Sequence, residues 1–261
     1  VNRLSLGVQS FDDAMLKALG RVHSADEARR AIETALAVFD NVNLDLMYGL
    51  PGQTLTMARA DVEEGARRGT PHLSAYQLTI EPNTVFWSKR PHLPEHDLCA
   101  DMQLAVEEAL AQTGFEHYET SAFARPGHRC RHNLNYWEFG DYAGIGAGAH
   151  GKISFADRVT RQEKVKSPRD YLQGMSSIED RVIAPRELPF EFMLNALRLI
   201  EGFPVGLFAA RCGLPLSLIE ARLQAAEQKS LLHRTLRQIR PSDRGRRFLN
   251  DLTGLFLPAQ E

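Results

Sequence analysis

Across the first eighty residues, short apolar strands alternate with capped amphipathic helices, and that alternation leaves few folds open. Leu4, Leu6 and Val8 alternate in a strand, and Ser10 with Asp13 has the spacing of a capping box that opens a helix. Ser24-Ala-Asp-Glu27 repeats the device ahead of Ala28, Ala31, Ile32, Ala35, Leu36 and Phe39 at helical spacing. A second strand follows over 43–49, then a Leu50-Pro-Gly52 turn, a helix over 54–68 and a third strand over 73–80. Strand and helix in strict alternation predict parallel βα units. Ligands of such units gather at the carboxyl ends of the strands. Gln9, Asp45 and Thr79 sit at or near those ends.

The pattern changes after Glu81. Prolines at 82, 91 and 94 lead into a helix over 95–114, with Leu98, Met102, Ala105, Val106, Ala109 and Leu110 on one face. A polar stretch containing His128-Arg-Cys-Arg-His132 precedes Asn133-Leu-Asn-Tyr-Trp137 and a glycine-rich run, Gly144-Ile-Gly-Ala-Gly-Ala-His-Gly151. Residues 157–185 are charged and read as a linker. Residues 186–261 read as a separate module: a helix over 187–200, a short helix ending at Cys212-Gly213, a helix to Lys229 capped from Ser217, a hairpin over 231–239 and a last helix after Pro241-Ser242. Helices plus a hairpin in this order form a winged-helix outline. The expected division is therefore 1–156, a linker over 157–185, and 186–261. Because the chain opens on Val1 with a strand already under way and no leader-type segment, a missing N-terminal part is expected.

Several functions are disfavoured by composition. With 31 basic and 33 acidic residues the net charge is −2, and no apolar run reaches the ~18–20 residues of a membrane span. Cys99, Cys130 and Cys212 are scattered, which fits a reducing, cytoplasmic compartment and leaves no close set for zinc or iron–sulfur. The hairpin region 233–247 holds six arginines against one aspartate. Even so, its module has little net charge, and the candidate recognition helix balances acid with base, so no nucleic-acid partner is expected. Gly146-Ala-Gly148-Ala-His-Gly151 matches a dinucleotide fingerprint by letters, but Lys152-Ile-Ser-Phe155 continues as a strand where a helix is needed. Close backbone approach is the better account of those glycines.

Some residues carry two readings. Asp45, in an otherwise apolar strand, can cap a neighbouring helix or accept from ligand hydroxyls or an amine. Arg21 is either a solvated charge or a clamp for a carboxylate. His132, Asn133, Tyr136 and Trp137 form either an aromatic helix turn in the core, or a wall for a planar ligand with an imidazole offered to a metal.

Taken in order, Leu6-Gly-Val-Gln-Ser-Phe11, Asn43-Leu-Asp-Leu-Met-Tyr-Gly-Leu-Pro-Gly52, Ile80-Glu-Pro-Asn-Thr84, His132-Asn-Leu-Asn-Tyr-Trp137 and 140–151 resemble the HemW family of radical SAM haem chaperones, relatives of the oxygen-independent coproporphyrinogen III oxidase. The resemblance covers most of 1–153 and, more loosely, the tail. It implies an α/β fold, the later part of a partial TIM-like barrel followed by a winged-helix-like domain. It also implies S-adenosylmethionine on Gln9, Arg21 and Asp45, with Thr79 and His150 aligned to further contacts in the oxidase. His132-Asn-x-x-Tyr-Trp137 resembles the haem-binding motif of the chaperone branch, with site residues His132, Asn133, Tyr136 and Trp137. A [4Fe–4S] cluster on a C-x3-C-x2-C motif is implied as well, but this chain has no such motif. The partners implied are haem and a haem-accepting protein, which can be membrane-associated. The oxidase, which decarboxylates propionates in haem biosynthesis, is the alternative.

Overall fold

The computed structural model describes residues 1–174 and 179–258, in two compact units, Val1–Arg129 and Cys130–Glu261. The first unit runs β1 (Leu4–Gln9), α1 (Asp13–Ala18), α2 (Ala25–Leu36), β2 (Val42–Tyr48), α3 (Leu55–Arg67), β3 (His72–Gln77), α4 (Val85–Ser88), α5 (His96–Gln112), β4 (Glu116–Glu119) and β5 (Ala122–Ala124). The sheet order is β1-β2-β3-β5-β4, with the first three strands parallel, β5 antiparallel to β3, and β4 antiparallel to β5. The parallel βα units expected for residues 1–80 are present, although the third strand stops at Gln77. The β4–β5 hairpin lies in the stretch expected to be merely polar.

Alternation along each strand sorts the sheet into two faces. Val8, Val42, Leu44, Leu46 and Leu73 face Ile32, Val62, Met102, Val106 and Leu110 of the helices, forming the buried core. Helix α3 approaches this face closely at Gly65, where a Cβ would come within 3.0 Å of a Leu46 methyl. The opposite face carries Ser5, Gly7, Asn43, Asp45, His72, Ser74 and Tyr76. The cap of α2 is the expected one: Ser24 accepts from the Glu27 amide, and the Glu27 carboxylate accepts from the Ser24 amide. The cap of α1 is not. Asp12, not Ser10, accepts from the Ala14 and Met15 amides. Ser10 instead donates to buried Asp61 at 2.7 Å, beside the Phe11 amide at 2.7 Å.

The second unit contains α6 (Arg131–Trp137), β6 (His150–Ser154), β7 (Val159–Glu163), α7 (Pro168–Leu172), β8 (Glu179–Val182), α8 (Leu188–Ala196), β9 (Phe203–Pro204), α9 (Val205–Cys212), α10 (Glu220–Gln228), β10 (Leu232–Arg234), β11 (Gln238–Pro241), α11 (Asp243–Arg247) and α12 (Leu249–Gly254). Strands β6-β7-β8 form an antiparallel sheet, so the segment expected as a linker is folded. Its charges are accommodated by pairing: Arg161 meets Glu191 at 2.6 Å and Arg181 meets Glu187 at 3.0 Å. The winged-helix outline is present, with helices α8, α9 and α10 and a β10-β11-β9 sheet around Phe192, Phe203, Phe208, Leu223 and Ile239. Ser217 does not cap α10; a 3-10 turn over Leu216–Ile219 leads into it. Strand β6, not a helix, follows the glycine-rich run, and a Cβ on Gly144 would run into the His150 carbonyl. Close approach accounts for Gly144 and Gly151, whereas Gly146 and Gly148 adopt φ of 104° and 71°, a backbone conformation that favours glycine. Among the described residues, no helix is long and apolar enough to cross a membrane.

Candidate ligand sites

In the first unit the site grows from an irregularity at the end of β1. The register with β2 shifts between Gly7 and Gln9, and Gln9 adopts φ 69°, a left-handed conformation that costs a non-glycine residue free energy. This turns the Gln9 amide over Gly7, where a Cβ would come within 2.9 Å of its Nε2. Tyr76 Oη donates to Gln9 Oε1 at 3.1 Å. On the neighbouring strand, Asp45 accepts from Ser5 Oγ at 2.7 Å and from Asn43 Nδ2 at 2.8 Å. These bonds tie Asp45 to its own sheet face and not to a helix cap. A carboxylate has about four acceptor positions, so about two are left for a ligand.

Tyr76 links β3 to Gln9. Burial is the main cause that raises its phenol pKa; the Asp45 charge adds to this, while the Gln9 bond and the Arg21 charge oppose it. Arg21 is exposed, and its guanidinium has no partner among the described residues. Gln9 thus bonds a phenol that also feels the Asp45 and Arg21 charges, and that the sequence reading passed over. The only signal for Tyr76 was its phase: it shares the polar face of β3 with His72 and Ser74. Thr79 lies beyond β3 and is exposed, and His150 opens β6 in the second unit.

In the second unit, every residue of α6 is exposed or half-buried, so the helix is not the core turn that composition also allowed. His132 is exposed. Its ring meets the Tyr136 ring edge-on, with centroids 4.7 Å apart, and Tyr136 meets Tyr142 at 4.4 Å. Neither nitrogen of His132 has a hydrogen-bond partner among the described residues, which leaves the imidazole able to bind a metal. Tyr142 was also missed; its hydroxyl accepts from Arg161 at 2.7 Å. Asn133 is committed locally, accepting from Cys130 Sγ at 3.4 Å. Trp137 was expected to offer a flat wall, but the Arg198 guanidinium covers one face of its ring. Its Nε1–H is buried without an acceptor among the described residues, an orphaned donor suited to an anionic or carbonyl group.

Among the described residues, no three His, Cys, Asp or Glu side chains gather as a metal site. The residues present therefore do not fit a [4Fe–4S] cluster, whereas the Gln9–Asp45–Arg21 set fits a nucleoside bearing an amino acid.

Comparison with known proteins bears on both units. Residues 1–64 match the radical SAM superfamily, and residues 183–248 match the HemN C-terminal domain. Haem chaperone HemW of Escherichia coli K12 is 45% identical over 259 residues, covering 98% of this chain and 68% of that protein. The proteins of the same name from Haemophilus influenzae and Bacillus subtilis are 42% and 35% identical. Among solved structures, the coproporphyrinogen III oxidase HemN of Escherichia coli, a radical SAM enzyme, superimposes with a TM-score of 0.77 at 18% identity, over 98% of this chain and 64% of that one. The fold is the expected one, the later part of a partial TIM-like barrel of the radical SAM type followed by a HemN-type C-terminal domain.

Proposed function

Since the chain belongs to the HemW family of radical SAM haem chaperones, we propose that it binds haem through α6 and S-adenosylmethionine through the polar face of its first sheet, and hands haem to an acceptor protein. The observation that carries the haem reading is His132: an exposed imidazole, free at both nitrogens among the described residues and braced by an aromatic pair. A haem presents an apolar plane, an iron and two propionates. Tyr136 and Tyr142 would supply aromatic surface, His132 an imidazole for the iron, and the Trp137 N–H a donor for a propionate.

S-adenosylmethionine carries a carboxylate, an amine and ribose hydroxyls. Arg21 would hold the carboxylate, and Asp45 and Gln9 the hydroxyls or amine. When bound, this group supplies a sulfonium whose cleavage needs an iron–sulfur cluster, and no step through a cluster is drawn for these residues. The oxidase reading differs in its substrate, a metal-free and puckered porphyrinogen with no use for an iron ligand.

A haem titration tests the reading. The parent chain should shift the Soret band on binding, and His132→Ala should lose most of that shift. Haem binding indifferent to His132→Ala, together with anaerobic decarboxylation of coproporphyrinogen by the full-length protein, would return the assignment to the oxidase.

A further inference from the structure

The polar face of the first sheet carries a hydrogen-bonded chain that ends on Asp45 and draws on four strands. Asn43, at its centre, is 2% exposed, and its amide is fully committed. Its Nδ2 donates to Ser5 Oγ at 2.7 Å and to Asp45 Oδ1 at 2.8 Å. Its Oδ1 accepts from Ser74 Oγ at 3.2 Å and faces His72 Nδ1 at 2.6 Å. An amide oxygen only accepts, so the proton of that contact resides on His72 Nδ1.

The rest of the chain follows from that proton. A neutral imidazole with Nδ1–H has an acceptor at Nε2, so Tyr118 Oη, 2.8 Å away, donates to it. Burial is the main cause pushing the His72 pKa down to about 3, with the Arg3 and His128 charges adding to it, so the ring stays neutral near pH 7. Ser5 accepts from Asn43 and donates its own proton to Asp45 Oδ2 at 2.7 Å. Every donor points the same way, from Tyr118 through His72 and Asn43 to the two carboxylate oxygens. Low-dielectric networks of this kind are strong when every member is satisfied and costly when one is not.

We propose that His72 is a positioning residue for the Asp45 carboxylate: by donating from Nδ1 it fixes the orientation of the Asn43 amide, and through it the plane of Asp45. The proposal rests on the reading of Asp45 as a nucleoside contact. Turned end for end, the Asn43 amide would aim its oxygen at Asp45, replacing an attraction with a repulsion. His72 makes that orientation unfavourable, because two donors, His72 Nδ1 and Ser74 Oγ, already converge on the same spot.

Two substitutions of similar size separate positioning from simple filling of space. The amide nitrogen of asparagine stands where Nδ1 stands, and that of glutamine reaches the place of Nε2. With S-adenosylmethionine as the calorimetric probe, His72→Asn should stay within about threefold of the parent affinity, and His72→Gln should weaken it about tenfold or more. Asp45→Asn runs alongside. If Asp45→Asn weakens binding and His72→Gln does not, the positioning role is overturned while the nucleoside reading stands. If Asp45→Asn has no effect, the nucleoside reading falls and takes the positioning role with it. A second measurement needs neither ligand nor variant. Long-range proton–nitrogen NMR of histidine-labelled protein should show His72 as the neutral Nδ1–H tautomer between about pH 5 and 8. An Nε2–H ring would overturn the proposal outright.

Discussion

The Arg198 guanidinium lies over the Trp137 ring, its central carbon 4.3 Å from the ring centroid. A cation over an aromatic face contributes on the order of 0.5–2 kcal/mol and takes that face out of use for a planar ligand. The open aromatic surface at α6 is therefore its Tyr136 together with Tyr142, which lies beyond the helix, and Trp137 acts through its edge. Trp137→Phe keeps a ring beneath Arg198 and removes a buried donor that has no acceptor among the described residues. Its stability in urea should stay within about 1 kcal/mol of the parent, while Trp137→Ala should cost about 2 kcal/mol. A haem titration of Trp137→Phe should show weaker binding, because the N–H is lost.

Loss of haem binding in His132→Ala should not reflect unfolding. The side chain is exposed, and substitutions at such places change stability by less than about 0.5 kcal/mol. Urea midpoints that coincide for parent and variant, beside a diminished Soret shift, are the expected pair of results.

Arg21→Ala should weaken S-adenosylmethionine binding roughly 10- to 150-fold, the range for losing a charge-assisted hydrogen bond. Arg21 is exposed and without a partner among the described residues, so thermal unfolding should be unaffected. Equal affinity in the two proteins would make Arg21 a solvated charge.

Two buried groups of the first unit should oppose each other as pH changes. Burial pushes the Asp61 carboxyl up to about 6, against the Phe11 and Ser10 hydrogen bonds that lower it. In the folded state it therefore holds its proton longer than in the unfolded chain, and between about pH 4 and 6 it makes stability fall as pH rises. His72, pushed down to about 3, acts in the other sense: the unfolded chain binds the proton first, so its contribution is present above the ordinary histidine value and lost as pH falls toward 3. Asp61→Asn, compared with the parent, should gain stability across pH 4 to 6 by up to about 1.4 kcal/mol per pH unit, and His72→Asn should lose it. Urea unfolding at several pH values measures both differences. Parallel curves for parent and variants would count against these buried titrations.

Much of this was legible in the chain itself, for a physical reason. The βα units of the first unit repeat one pattern with strong local signals, and Ser24 with Glu27 announces α2 by the chemistry it performs. Asp45 and His132 stood out because each is a polar group among apolar or aromatic neighbours. Tyr76 and Tyr142 did not, because what places them is register: Tyr76 lies opposite Met47 on β2, and Tyr142 bridges to Lys152. Strands β7 and β8 read as a linker since their charges look solvated until Glu191 and Glu187 are found beside Arg161 and Arg181. Ser10 had the letters of a cap, but Asp61, fifty-one residues away, competes for its hydroxyl.

The left-handed backbone at Gln9 sets stability against use. Glycine would adopt φ 69° without strain, a relief of about 1 kcal/mol, and would carry no amide to meet Tyr76 or a ligand. Libraries of this chain screened for heat tolerance alone should drift toward glycine at position 9, and libraries screened on S-adenosylmethionine should hold glutamine. A single site would then report which of the two pressures a population had experienced.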